Sequence, residues 1–391
     1  MLPTQSEGPG TFAQFDLSRV SSPSYVVDSE KIRSNLEILR DIGDRSGAKI
    51  LIALKAFSMW ALSGLIHEYL DGCCSSGLWE ARLAREKGFA ERERSKILSI
   101  FSPAYRSEEI DEIAALSDHL IFNHPNSFGI DIAKSSGASV GLRINPELSL
   151  SLDPKYDPCV ENSRLGFPIS QLLEDQLHGL DGLHFHTLCE QNFSPLQKTW
   201  QKVEEKLGDS LRHFSWINLG GGHHCTRNDY DRESLVSLIL QISEKYDVQV
   251  YLEPGEAVAL DAGILVGEVI DIMEGVKDHA LLDLSATCHA PDVIEAPYRP
   301  ALLGEVENGG HPYFLGGASY LTADSFGEYR FEKKLQRGER VAFLDQAHYT
   351  MVKTNTFNGV SLPSLYLWDS KTDDLSLIKK FGYEEFVNRL S

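Results

Sequence analysis

A short apolar run, a polar or glycine turn and then a helical pattern recur along the first two thirds of this chain. The runs lie at 50–55, 72–75, 96–101, 120–123, 139–145, 182–187, 215–219 and 248–253. Lys55 ends the first and Glu253 the last, 198 residues apart over seven intervals, or about 28 residues per repeat, which suits a strand–helix unit. Strands that alternate with helices argue for a parallel sheet. The helical signals agree. Ser107, Glu108 and Glu109 form a helix start with acids at the positive end of the dipole, and the pattern from Trp79 to Lys87 stops at Gly88. Eight such units closing on themselves predict an α/β chain with a (β/α)8 TIM-type barrel. An open doubly wound sheet is the alternative, but no G-x-G-x-x-G follows the first run.

Beyond about residue 262 the texture changes. Segments 264–272, 280–284, 312–315, 340–344 and 364–368 read as strands with short turns, and Asp369 to Asp373 as a polar hairpin turn. The early segment 24–27 is also strand-like. The predicted organisation is an N-terminal segment, 1–35, that adds a strand to a β domain, a barrel over 36–262 and a mostly β domain over 263–391. A chain of 391 residues suits two domains.

Composition narrows the partners. Lys plus Arg number 37 and Asp plus Glu 57, for a net charge of −20. Such a surface repels nucleic acid and anionic membranes and attracts small cations. The N-terminus has no basic start and no apolar core, so no secretory signal is expected. The six cysteines show no paired metal spacing. The expectation is a reduced, cytoplasmic protein with no metal.

In a barrel, chemistry collects at the carboxyl ends of the strands. Lys55 ends a run of five apolar residues. Desolvated there, its amine would have the lowered pKa an imine-forming lysine needs; a lysine snorkelling to solvent fits the same pattern. His184 and His186 share a strand face, which suits a metal or a flat ring stacked on histidine. The pair comes late for a metal-hydrolase barrel, and His223 and His224 are adjacent rather than spaced. Gly220, Gly221 and Gly222 end the seventh run. Glycines there let backbone amides close around phosphate, although they also make tight turns. Glu253 ends the eighth run beside Tyr251. A lysine, a stacking histidine, a phosphate cradle and an inward carboxylate are the parts that hold pyridoxal 5′-phosphate.

Six stretches then carry a resemblance: ALKAFSMW around Lys55, GLHFHTLCEQ at 182–191, NLGGGHH at 218–224, LEPGEAVAL at 252–260, HAPDVIEAPYRP at 289–300 and YTMVKTNTFNG at 349–359. In this order and over nearly the whole chain, they resemble the alanine-racemase-like pyridoxal-phosphate decarboxylases, above all the branch acting on carboxynorspermidine and carboxyspermidine. The resemblance implies that Lys55 holds the cofactor covalently, that His186 stacks on its ring and that Glu253 pairs with the pyridine nitrogen. It places Gly220, Gly221, Gly222 and Cys189 at the phosphate, with Tyr349 reaching it from the β domain. For Phe357, core packing fits as well.

The resemblance also bears on substrate. Many relatives carry arginine in the slot of Glu256. A glutamate there would accept a substrate ammonium, with Asp292 as a second acceptor, although an ordinary helix-start acid also fits Glu256. Relatives place a cysteine in the β-domain loop that here runs 316–324, and it returns a proton to the substrate carbon. Tyr320 stands in its place, or Ser319 if the alignment slips by one; Asp324 is retained at the substrate site. The family is dimeric with shared sites, so this loop would serve the partner's cofactor. The implied reaction is α-decarboxylation of a carboxylated triamine to norspermidine or spermidine. Another decarboxylase of the group, for diaminopimelate or a basic amino acid, and a non-catalytic homologue are the rivals.

Overall fold

Eight of the apolar runs fold as eight parallel strands that close on themselves. They are Lys49–Ala53, Gly72–Ser75, Ile97–Phe101, His119–Phe122, Ser139–Asn145, Gly182–His184, Trp216–Asn218 and Gln249–Leu252. Each pairs in parallel with the next, and Tyr251 lies beside Lys49 to close the ring. The computed structural model describes residues 4, 6–92, 95–151, 153–295 and 297–391. The chain divides into two compact units, Arg33–Val258 and Met1–Ile32 with Ala259–Ser391.

The first unit is the barrel. Its helices bury one apolar stripe each. In Arg232–Tyr246, residues Leu235, Leu238, Ile239, Ile242 and Tyr246 recur at helical spacing and are buried. Asp231 caps that helix by accepting from the Ser234 amide. The helix after the third strand begins at Ile110, one turn later than expected, because Ser107, Glu108 and Glu109 form a turn ahead of it. Inside the barrel, Trp216 fills space left by two glycines. A β-carbon on Gly141 would come within 2.4 Å of its ring, and one on Gly182 within 2.0 Å. Leu51, Ile121 and Tyr251 pack around it, and His119 stacks on it with ring centres 4.5 Å apart. Burying each such apolar side chain stabilises the fold by about 1.5–3 kcal/mol.

Five of the eight barrel strands stop earlier at their carboxyl ends than their apolar runs suggest. The sixth ends at His184 rather than 187, and the eighth at Leu252 rather than 253. There the ladder gives way to turns: the Gly220 amide donates to the Asn218 side chain rather than to a neighbouring strand.

The second unit is mostly β. Gly263–Met273 pairs with Ser24–Asp28, His279–Leu282 and Arg340–Leu344, and Ser24–Asp28 also pairs in parallel with Ser364–Asp369. Alternation along the long strand sends Ile264 and Val266 into a cluster with Phe12, Phe15 and Trp368. It sends Leu265 and Val269 into another with Phe326, Tyr329 and Phe343. Ser325–Phe331 is a strand that sequence reasoning missed. Its buried residues, Phe326 and Tyr329, are three apart because the register shifts opposite Leu315 and Gly316. Such a bulge erases the two-residue period that marks a strand. No helix among the described residues is long and apolar enough to cross a membrane.

Candidate active site

The carboxyl ends of the barrel strands carry the polar residues. Lys55 lies two residues past the first strand, in a turn closed by the Ala56 and Phe57 amides on the Ala53 carbonyl. Its side chain is open to solvent, yet it makes no hydrogen bond among the described residues. Protein atoms crowd it on every other side, and this desolvation lowers its pKa, aided by Arg143 and opposed by Cys74 and Glu253. A larger share of the amine is therefore uncharged near neutral pH, as an attacking amine requires.

Glu253 follows the eighth strand and is almost fully buried. Burial acts to raise its pKa. His184, the Asn218 side chain and Lys55 together outweigh that, and the carboxyl stays below its usual range. His184 Nε2 lies 3.1 Å from one oxygen, and Asn218 Nδ2 donates to the other at 2.7 Å. Each oxygen keeps a second lone pair for a further donor. His186 accepts from the Gly221 amide at Nδ1, 3.0 Å away. Burial, then the charges of Lys55 and Arg143, push its pKa well down. The ring is neutral, with its proton on Nε2.

The glycine loop is closely packed. A β-carbon on Gly221 would come within 2.0 Å of the Glu253 carbonyl oxygen, and one on Gly222 within 1.9 Å of that of Leu188. Gly222 also has φ of +81°, which favours glycine. The three amides are not equivalent. Gly220 donates to Asn218 and Gly221 to His186, so neither points unpaired at an anion. Among the described residues, the amides of Gly222 and His223 donate to no protein group. These two are the remaining donors of the glycine loop. The loop after the sixth strand abuts it: the Gln191 amide donates to the Gly222 carbonyl at 3.2 Å, and Cys189 N lies 3.3 Å from where a Gly222 β-carbon would be. Cys189 therefore sits at the cradle. Burial pushes its thiol pKa up, leaving it protonated. Glu256 opens the helix Glu256–Ala259, and its carboxylate lies 3.1 Å from His224 Nε2.

Sequence reasoning missed three of these residues' parts. Arg143 lies inside the barrel, donates to the His186 carbonyl at 3.0 Å and stacks over Phe101. Asn218 orients Glu253, and His224 lies 3.1 Å from Glu256. The signal for Arg143 was a charge in the middle of the apolar run 139–145.

The second unit holds the remaining candidates. Tyr320 is 95% exposed, at the tip of the 316–324 loop, and its amide donates to Asn358 Oδ1 at 2.8 Å. Tyr349 has φ of +37°, uncommon for a residue with a side chain. Both remaining carboxylates have partners within the chain. Asp324 is buried and accepts from the Ser285 hydroxyl and from the amides of Thr287 and Ser319, which organises its loop. Asp292 is ion-paired with Lys353 at 2.5 Å, and Glu295 grips the same ammonium.

No family model matches the chain. Solved structures place its architecture among the alanine-racemase-like decarboxylases. Diaminopimelate decarboxylase from Helicobacter pylori complexed with L-lysine matches with a TM-score of 0.82, covering 95% of this chain and 97% of its own; at 17% identity this establishes the fold alone. Carboxynorspermidine decarboxylase from Campylobacter jejuni complexed with norspermidine matches with a TM-score of 0.86 at 40% identity, covering 95% of this chain and all of its own. In sequence, the carboxynorspermidine/carboxyspermidine decarboxylase of C. jejuni is 41% identical over 95% of this chain and 99% of its own length. That of Herminiimonas arsenicoxydans is 34% identical over 95% and 100%. The carboxyaminopropylagmatine decarboxylase of Synechocystis sp. is 36% identical over 96% of both chains. The chain belongs to the carboxynorspermidine/carboxyspermidine decarboxylase family. Decarboxylases of this kind generally depend on pyridoxal 5′-phosphate.

Proposed function

We propose that this chain is a pyridoxal-phosphate-dependent decarboxylase that removes the α-carboxylate of a carboxylated polyamine, carboxynorspermidine or carboxyspermidine, as carbon dioxide. The observation that carries the substrate reading is Glu256, a carboxylate 3.1 Å from His224 Nε2 beside the glycine loop. It suits an ammonium and would repel the second carboxylate of diaminopimelate. The barrel residues fit the cofactor: a desolvated lysine, an ionised buried carboxylate, a neutral histidine and two unpaired amides.

When bound, the cofactor supplies an electron sink for the pair left on the α-carbon as carbon dioxide departs. Lys55 would hold it covalently and yield its place to the substrate amine. Glu253, kept ionised by its two donors, would hold the proton on the pyridine nitrogen. His186 would lie on the ring without adding charge. The amides of Gly222 and His223 would take the phosphate, with Cys189 completing that end. Glu256 would bind an ammonium of the substrate tail, a charge-assisted hydrogen bond.

The loop that carries Tyr320 fits a shared site between two copies. Its tip is exposed, as are Leu321 and Phe357, while Asp324 pins its base. Tyr320 would return the proton to the α-carbon in the partner's site. Mixing inactive Lys55→Ala subunits with slowed Tyr320→Phe subunits should then raise the activity above that of either variant alone. The six unpaired cysteines suit a reducing cytoplasm.

Carbon dioxide release from a panel of carboxynorspermidine, carboxyspermidine, carboxyaminopropylagmatine and diaminopimelate tests the reading. Turnover of diaminopimelate alone would overturn it. Glu256→Gln should raise KM for the carboxylated triamine by about tenfold to a hundredfold, the worth of one charge-assisted bond, with a smaller change in kcat. An unchanged KM would remove Glu256 from substrate recognition. Tyr320→Phe should slow decarboxylation, whereas Tyr320→Cys should keep or raise it, because a thiol titrates about 1.5 units below a phenol. Full activity in Tyr320→Phe would assign the proton to another group.

A further inference from the structure

Three neighbouring barrel strands carry a row of polar residues in register: Arg143 beside His184, and His184 beside Asn218. His184 is 1% exposed and stacks on Phe101 with ring centres 5.7 Å apart. Its Nε2 lies 3.1 Å from Glu253, while its Nδ1 is buried with no hydrogen-bond partner among the described residues. The orientation of Asn218 is fixed independently. Its oxygen accepts from the Gly220 amide at 2.9 Å, so its nitrogen must face Glu253.

A carboxylate only accepts, so His184 must donate from Nε2. A second proton, on Nδ1, would be a buried positive N–H with nothing to receive it. A bare lone pair there costs less than that donor. We infer that His184 is a positioning residue for Glu253: neutral and protonated at Nε2, it fixes one carboxylate oxygen while Asn218 fixes the other, so the carboxylate is aimed and ionised before any ligand arrives. The burial that lowers the His184 pKa supports the neutral form. The functional value of this arrangement rests on the proposed pairing of Glu253 with the cofactor. The arrangement itself does not.

The test therefore begins on the full chain without cofactor. Long-range 15N–1H correlation spectra of histidine-labelled protein should show His184 as the Nε2–H tautomer, without titration between about pH 6 and 8. An Nδ1–H tautomer, or an imidazolium in that range, would overturn the inference. His184→Phe keeps a ring against Phe101 and removes the donor; His184→Gln keeps a donor should the Phe variant fold poorly. In His184→Phe, the carboxyl carbon of labelled Glu253 should titrate at higher pH than in the wild type. In the loaded enzyme, kcat should fall by about tenfold to a hundredfold with KM nearly unchanged, and Gln should recover part of the loss. An unshifted Glu253 titration with normal kcat would reduce His184 to packing. Were wild-type protein inactive on every substrate, the proposed function would fail, while the tautomer and the Glu253 titration would still decide the role of His184.

Discussion

Lys55→Ala is expected to leave a folded protein that releases no measurable carbon dioxide. Lys55 makes no hydrogen bond among the described residues and is open to solvent, so its removal breaks none of their hydrogen bonds. The functional loss is large, because this one amine would hold the cofactor covalently. Borohydride treatment of the cofactor-loaded wild type should fix the label on the Lys55 peptide. A label on another lysine, or turnover in the alanine variant, would refute the assignment.

Glu253→Gln should lower kcat by about 10³-fold, roughly 4 kcal/mol of transition-state stabilisation, with a much smaller change in KM. A neutral amide cannot hold a proton on the pyridine nitrogen, so the interaction lost is one felt chiefly as charge develops on the substrate. The variant should fold. Asn218 can still donate to the amide oxygen, and the amide keeps the shape of the carboxyl group. Steady-state kinetics of the variant check this, and a near-normal kcat would dismiss Glu253 from the reaction.

Much of the barrel was legible because each strand is buried on both faces, and a buried strand reads as an apolar run wherever it lies. Lys55 and Glu253 stood out for the same reason, as charges ending such runs. Where the protein departs from regular geometry, the reading weakened. Phe326 and Tyr329 face one core from a bulged strand, so their spacing hid it. The glycines announced a cradle, but which amides remain unpaired depends on Asn218 and His186, and no spacing rule supplies that. Asp292 and Asp324 read as substrate carboxylates because their types and places in the motifs were right. Their partners, Lys353 and the hydroxyl and amides around Ser285, lie 61 and 39 residues away in sequence, beyond the reach of local pattern. His184 was visible only as one of a pair, and its carboxylate partner lies 69 residues further on.

The tryptophan wedged between Gly141 and Gly182 has a consequence for traffic. Trp216, Leu51 and Ile121 are almost wholly buried, and His119 and Tyr251 nearly so, so the amino end of the barrel is shut to water and to anything larger. Anything that reaches Lys55 and Glu253 must therefore come from the carboxyl ends of the strands, and products would have to leave on that side too, so how quickly it clears can limit the rate as much as the chemistry does.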